Sequence, residues 1–357
     1  MLDKSYVEDL IYGRRQSHLL SAVLSALSLI YGFIVRIRAL LYWLHLLNVK
    51  KLPCAVVSIG NITLGGTGKT PTVISVARFL AGNHKQPLVV SRGYGREKES
   101  KVLAVSDGLS ILVNARRGGD EPVLIASRLP GVPVMVGSDR YQAALHGLRK
   151  YQGKIVILDD GFQHRSLRRN ADIVLVDATD PFGNGKLFPA GILREPITAL
   201  KRAQAIMITR IDQAGNLEEL KTKIKRITSA PIFTSYHQPI DLVECTTGDV
   251  KSLGVLRGAR TFVFSGIARP SSFTALLSSL GVNVAVESTY PDHYEYQKSD
   301  LASIYEKATD ARVNMIITTE KDMVRIRDLK PDGVWALRID LAVCERPEWE
   351  QFLARLA

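Results

Sequence analysis

The sequence predicts an α/β protein: a mostly parallel sheet, a second, smaller α/β domain, and a membrane-associated helix in front of both. Three observations predict it. Short apolar runs recur between helical stretches, at Pro87–Ser91, Val132–Val136, Ile155–Leu158, Ile173–Val176 and Ala205–Thr209. That rhythm is the one a parallel sheet with helices on both faces requires. A glycine-rich loop ending in Lys-Thr follows another such run, Ala55–Ile59. And no charged residue occurs from Gln16 to Val35.

The loop is Thr63-Leu64-Gly65-Gly66-Thr67-Gly68-Lys69-Thr70, followed by Val73, Val76, Ala77 and Leu80 on one helical face. Strand, glycine-rich loop, Lys-Thr and helix, in that order, form the context of a P-loop as found in NTPases. Glycines allow backbone N–H groups to turn toward phosphate oxygens, and the helix N-terminus adds partial positive charge. Lys69 would reach the β/γ-phosphates and Thr70 would hold Mg²⁺. Thr63 stands where the usual pattern has its first glycine. The loop predicts a nucleoside triphosphate and leaves the phosphate acceptor open.

The front segment is about long enough to span a bilayer. Arg14 and Arg15 precede it; Arg36, Arg38, Lys50 and Lys51 follow, with a second apolar stretch from Ala39 to Val49 and a helix-stopping Pro53. Charged residues after the run argue against a cleaved signal peptide. A pair of buried core helices is a competing reading. Ser17, Ser21, Ser25, Ser28, Gly32 and Arg36 fall on one face at helical spacing. A small, polar stripe on a greasy helix suits docking on the protein's own body, or lying in the interface, as well as a free span. The nucleotide site must face ATP, which puts the body in the cytosol.

The charge of +12 points to an anionic partner. No zinc-finger spacing, RNA-recognition signature or basic heptad helix is present, so nucleic acid is not expected. Cys54, Cys245 and Cys344 form no C-x-x-C, which fits a reducing compartment and argues against a cysteine metal site. The nucleotide domain is expected over residues 51–235, behind a helical segment at 1–50, with the second α/β unit at 236–357. Strands of that unit are expected at Thr261–Ser265, Asn283–Glu287, Met315–Thr319 and Val334–Arg338, with Pro231 and Pro239 flanking the junction.

Further motifs carry chemistry. The strand of Lys154–Gly161 ends in Asp159-Asp160, where a P-loop fold keeps a carboxylate for Mg²⁺. Gly161-Phe162-Gln163-His164-Arg165-Ser166-Leu167-Arg168-Arg169 then supplies a histidine and arginines suited to phosphate. Gly118-Gly119-Asp120-Glu121-Pro122 places two carboxylates at a helix start, where capping is the simpler role. Pro291-Asp292-His293-Tyr294 offers a histidine that can tune a carboxylate base. Ser91-Arg92-Gly93-Tyr94-Gly95-Arg96 suits a polar headgroup. Ser138-Asp139-Arg140 follows a strand, where open α/β folds bind ligands. Leu193-Arg194-Glu195-Pro196 holds another arginine–carboxylate pair, and Thr318-Thr319-Glu320-Lys321-Asp322 reads as architecture more than chemistry.

Taken in order along the chain, Gly60–Pro71, Ser91–Arg96, Gly119–Pro122, Asp159–His164, Leu193–Pro196, Asp292–Tyr294 and Thr318–Asp322 resemble the tetraacyldisaccharide 4′-kinase (lipid A 4′-kinase) family. Members of that family also lack the first loop glycine. The resemblance implies transfer of the ATP γ-phosphate to the 4′-hydroxyl of tetraacyldisaccharide 1-phosphate, at the cytoplasmic face of a Gram-negative inner membrane. It implies two α/β domains with the active site in the cleft between them. Lys69 and Thr70 would serve ATP and Mg²⁺, with Asp159, Asp160 and Glu195 at the metal. Asp120 would activate the hydroxyl, with His293 as its partner from the second domain. Arg140, His164 and Arg194 would surround the transferring phosphate, and Tyr94 would contact the lipid headgroup.

Two other readings remain open on the residues alone. One is a membrane-associated P-loop NTPase acting on a protein partner, to which Thr209-Arg210-Ile211-Asp212 lends support through its likeness to a guanine-reading T-K-x-D element. The other is an anchored nucleotide-binding scaffold without turnover.

Overall fold

The computed structural model describes residues 18–94, 96 and 101–356; Arg14, Arg15, Gln16, Ser17 and Gly95 lie outside the described residues. In chain order the described elements are α1 (His18–Trp43), β1 (Ala55–Asn61), α2 (Lys69–Gly82), β2 (Pro87–Ser91), β3 (Val102–Ser106), α3 (Ala115–Gly118), α4 (Asp120–Arg128), β4 (Val134–Gly137), α5 (Arg140–Tyr151), β5 (Ile155–Asp159), β6 (Ala171–Asp177) and β7 (Ala205–Thr209). There follow α6 (Leu217–Lys225), β8 (Ile232–Glu244), β9 (Val250–Ser252), β10 (Arg260–Ser265), α7 (Pro270–Ser279), β11 (Asn283–Thr289), α8 (Lys298–Asp310), β12 (Met315–Thr319), α9 (Glu320–Ile326), β13 (Val334–Val343) and α10 (Arg346–Ala354).

The chain forms two compact units from interleaved stretches. One takes Met1–Pro87, Gly153–Tyr236 and Ala342–Ala357; the other takes Leu88–Gln152 and His237–Leu341. This differs from the consecutive spans 51–235 and 236–357 read from the sequence. Motif order runs along the chain, whereas compact units follow long-range pairing. Residues 88–152, with Tyr94, Asp120 and Arg140, therefore share a unit with His293.

In the first unit, β8, β7, β6, β1 and β5 lie side by side in that order, and every neighbouring pair is parallel. Strand β1 is internal, and its last six residues are buried, as a two-faced parallel strand demands. Helix α2 buries Val73, Val76, Ala77 and Leu80, the face expected from their spacing, and packs on β1, β5 and α10. A core of Ile62, Phe162, Val174, Leu193, Leu200 and Ile206 fills one side of this sheet.

Helix α1 docks on this unit through the small stripe. The Ser28 hydroxyl donates to the Leu187 carbonyl at 2.8 Å. A Cβ on Gly32 would lie 2.8 Å from Leu187 Cδ1, so a larger residue there would have to push that side chain aside. Arg38 donates to the Gln163 carbonyl at 2.9 Å, and Arg165 stacks on Tyr42. The other faces carry Leu29, Ile30, Phe33 and Ile34, all more than half exposed.

In the second unit, β11, β10, β12 and β13 run parallel in that order, over a core of Val263, Phe273, Leu277, Ile317 and Leu337. Strands β2 and β4 are parallel, and β3 joins β4 antiparallel. Strands β3, β8 and β9 were not read from the sequence. In β8 the burial alternates from Tyr236 to Asp241, so the strand is half-exposed there and Pro239 is tolerated.

Candidate active site

The first unit builds a phosphate cradle at the C-terminal end of β1. Gly65 and Gly68 have φ of 95° and 82°, left-handed values that glycine adopts without strain. The cap residue of α2 is Gly68, and no side chain closes the helix N-terminus. Its first N–H groups are therefore directed at whatever anion the loop holds. The Thr67 hydroxyl is buried with no hydrogen-bond partner among the described residues. An orphaned donor inside a glycine-rich loop, beside an open helix N-terminus, fits a nucleotide phosphate. Thr70 is buried at the first turn.

Lys69 Nζ lies 3.7 Å from Asp160 Oδ1 and 3.5 Å from Asn61 Oδ1. Arg194 Nη1 donates to both Asp160 oxygens, at 2.9 and 3.2 Å. Asp159 ends β5 and is buried, whereas Asp160 has φ of 50°. That turn into the left-handed region is how adjacent carboxylates leave the alternating strand pattern, and it stores backbone strain of the kind found at functional sites. The structure thus joins Lys69, Asp160 and Arg194. Glu195, expected at the metal, instead accepts two bonds from Arg202 at 2.7 and 3.1 Å and one from Gln163 at 3.3 Å. His164 meets the Ser166 hydroxyl at 3.2 Å. Arg210, the residue behind the guanine-reader likeness, is spent on Asp177 at 2.5 Å and on the Gly66 carbonyl at 2.8 Å. With Thr209 donating to the Thr67 carbonyl, it braces the loop from behind.

The second unit holds a different cluster. Asp120 opens α4, with Gly119 before it at φ 89°, and is buried. Its Oδ2 accepts from His293 Nδ1 at 3.0 Å and from Arg325 Nε at 3.0 Å, with Arg325 Nη2 closer still. Its Oδ1 accepts the Glu121 N–H at 2.9 Å. His293 has φ of 61°, a second strained residue within a candidate site. Burial alone would raise the Asp120 carboxyl. The His293 hydrogen bond and the Arg325 charge override it and hold the carboxyl well below the usual carboxylate range. The bond to Asp120 in turn raises His293 above its ordinary value, against the effect of burial. The Tyr94 ring, exposed to solvent, lies 5.6 Å from the His293 ring. Arg140 is buried at the start of α5 and donates to the Ser138 carbonyl at 3.1 Å.

Sequence reasoning missed Arg325. It is fixed by Asp322, which has no exposed side-chain area and also receives the Tyr296 and Thr319 hydroxyls and the Gly266 N–H. The available signal was spacing: Arg325 follows Asp322 by three residues, one turn along α9. Thr318–Asp322, read as architecture, is also the mount for this arginine. Beside it, Lys321 pairs with Glu121 at 2.5 Å. Among the described residues no group of three or more His, Cys, Asp or Glu forms a metal cluster, so a divalent ion here would rest on few protein ligands and on phosphate oxygens.

Comparison with known proteins identifies the family. The family described as tetraacyldisaccharide-1-P 4′-kinase matches residues 20–357. A tetraacyldisaccharide 4′-kinase of Syntrophus aciditrophicus is 41% identical over 335 residues, covering 91% of this chain and 90% of that protein. One from Desulfatibacillum aliphaticivorans is 40% identical, covering 94% and 92%. The crystal structure of LpxK from Aquifex aeolicus in complex with ATP superposes with a TM-score of 0.77 at 30% identity, covering 94% of this chain and 99% of that one. With a match over nearly its whole length, the chain belongs to the tetraacyldisaccharide-1-P 4′-kinase family.

Proposed function

We propose that this lipid A 4′-kinase uses Mg²⁺-ATP to phosphorylate the 4′-hydroxyl of tetraacyldisaccharide 1-phosphate, and that its two units carry different halves of the chemistry. In the first, the N–H groups of Gly65–Lys69 hold the phosphates and Lys69 neutralises their charge. Thr70 and Asp159 would hold the metal ion. Bound there, Mg²⁺ supplies charge neutralisation at the β- and γ-phosphates. Asp160 keeps Lys69 and Arg194 in place, and His164 and Arg194 supply donors to the transferring phosphoryl group, as Arg140 does from the second unit. In the second unit, Asp120 takes the hydroxyl proton through Oδ1, while His293 and Arg325 fix the carboxylate through Oδ2. Tyr94, beside His293, contacts the sugar headgroup.

The observation that carries this reading is the Asp120–His293 hydrogen bond, made by residues 173 positions apart. A capping role for Asp120 needs no such partner. The test is phosphorylation of tetraacyldisaccharide 1-phosphate by the purified protein in detergent with Mg²⁺-ATP. The 1,4′-bisphosphate product is expected, and full ATP binding with no lipid product would defeat the proposal.

We further propose that the protein works at the cytoplasmic face of the inner membrane with α1 lying in the interface. By length and composition Leu19–Trp43 is able to cross a bilayer. Yet α1 is held to the first unit from Ser28 to Tyr42. The described residues before that, His18–Leu27, rise only about 15 Å, half of a hydrocarbon core of about 30 Å. A helix fixed on one side and greasy on the other suits an in-plane position.

A further inference from the structure

We infer that Tyr31, on the membrane helix, is a positioning residue of the nucleotide site, so that α1 holds the phosphate loop as well as the lipid surface. This rests on the reading of Lys69, Asp160 and Arg194 as the phosphate-binding group. The Tyr31 hydroxyl donates to the Arg194 main-chain carbonyl at 2.8 Å, and its ring packs edge-on against Phe188. Together with the Ser28 bond to the Leu187 carbonyl, it grips both ends of the segment 187–194. That segment is closed on itself: Phe188 N–H donates to the Leu193 carbonyl at 2.8 Å and Gly191 N–H to the Leu187 carbonyl at 3.0 Å.

Its far edge is the backbone on which the phosphate loop begins. Leu64 N–H donates to the Ile192 carbonyl and Arg194 N–H to the Ile62 carbonyl, both at 2.7 Å, with Thr63 bridged to Leu193 between them. The Arg194 side chain then reaches Asp160, which faces Lys69. Two short paths therefore lead from α1, one through backbone to residues 62–64 and one through Arg194 to Lys69. An anchor needs neither, because the exposed apolar faces meet lipid without any contact to this segment. Burial raises the Tyr31 phenol, so its proton stays in place as donor across the physiological range.

Docking of α1 and binding of ATP consequently favour each other, by reciprocity of linked equilibria. The test uses the full chain in detergent micelles without a bilayer, so that membrane partition plays no part. Tyr31→Phe keeps the ring on Phe188 and removes only the hydroxyl. It is expected to raise the ATP Kd and the KM for ATP about three- to tenfold, the range for one lost hydrogen bond. The KM for lipid and vesicle sedimentation should not change. Tyr31→Phe added to Arg194→Ala should weaken ATP binding less than it does alone, because the second path is already cut. Ser28→Ala should act in the same direction. ATP affinity equal to the parent in both Tyr31→Phe and Ser28→Ala, with Lys69→Ala weakened, overturns this inference alone. Undiminished ATP affinity in Lys69→Ala overturns the underlying site reading instead. A Tyr31→Phe effect confined to sedimentation returns α1 to a plain anchor.

Discussion

Asp120 Oδ2 is shared by two donors, the His293 imidazole and the Arg325 guanidinium. A carboxylate gripped this way on one oxygen is oriented before substrate arrives, and its Oδ1, which accepts the Glu121 N–H, has a second lone pair for a hydroxyl. Arg325 is itself fixed by Asp322 at 3.0 Å and by the Gly266 carbonyl at 2.6 Å. Arg325→Lys keeps the charge but loses the planar fork that spans these partners. It should lower kcat about ten- to a hundredfold through misplacement of the base, with ATP affinity unchanged. Steady-state kinetics beside an ATP-binding isotherm separates the two; loss of ATP affinity with kcat retained would show that Arg325 serves the other unit's chemistry.

The same pair makes stability depend on pH in a defined direction. His293 is raised above 6.5, so its contribution is complete below 6.5 and is lost as pH climbs through its higher folded value. Asp120 is depressed below 3.8, so its contribution is present above 3.8 and is lost as pH falls through its lower folded value. Both operate together only between those limits. Denaturant unfolding of the parent and His293→Gln should therefore differ most near about pH 6 and converge as pH rises through the raised His293 value. A gap that stays constant over that range would mean that His293 carries no proton-linked stabilisation.

Much of the first unit was legible because its determinants are local. Strand β1, the loop 63–70 and the apolar face of α2 are consecutive and obey fixed spacings, and Asp159-Asp160 announces itself at a strand end. The Asp120–His293 pairing was legible only through the family resemblance, since neither short motif distinguishes catalysis from capping. Tyr31 was not legible, and Arg325 was legible only as a neighbour of Asp322, not as a partner of Asp120. Each acts through a partner more than 150 residues away, Asp120 and the Arg194 carbonyl, and one long-range contact leaves no periodic trace. The interleaving of the units escaped for the same reason: residues 88–152 carry no composition change where the chain leaves the first unit.

Gly60, near the end of β1, meets Phe162 at close range. A Cβ there would stand 2.7 Å from Phe162 Cβ and 2.9 Å from its backbone nitrogen. Phe162 is fully buried and Arg202 stacks on its ring at 4.2 Å, so neither side can give way. Gly60→Ala should cost about 1–3 kcal/mol, the usual penalty for overpacking. It should also weaken ATP binding, because the phosphate loop begins three residues on. Thermal or urea unfolding measures the first and nucleotide titration the second; a variant as stable as the parent would show that β1 shifts freely.

The exposed faces of α1 supply the last prediction. Leu29 and Phe33 are 74% and 64% exposed, one turn apart on the helix. Apolar area of that size gains about 25 cal/mol for each Å² transferred from water to lipid, whereas a carboxylate at the same place is repelled by anionic headgroups. Leu29→Asp with Phe33→Asp should release the protein from anionic vesicles at least tenfold, and turnover on vesicle-borne lipid should fall with it. ATP affinity in detergent should stay at the parent value, the reverse of the outcome for Tyr31→Phe. Retained sedimentation in the double variant would move the membrane contact off α1, to the basic residues of the body or to the stretch from Leu44 to Val49.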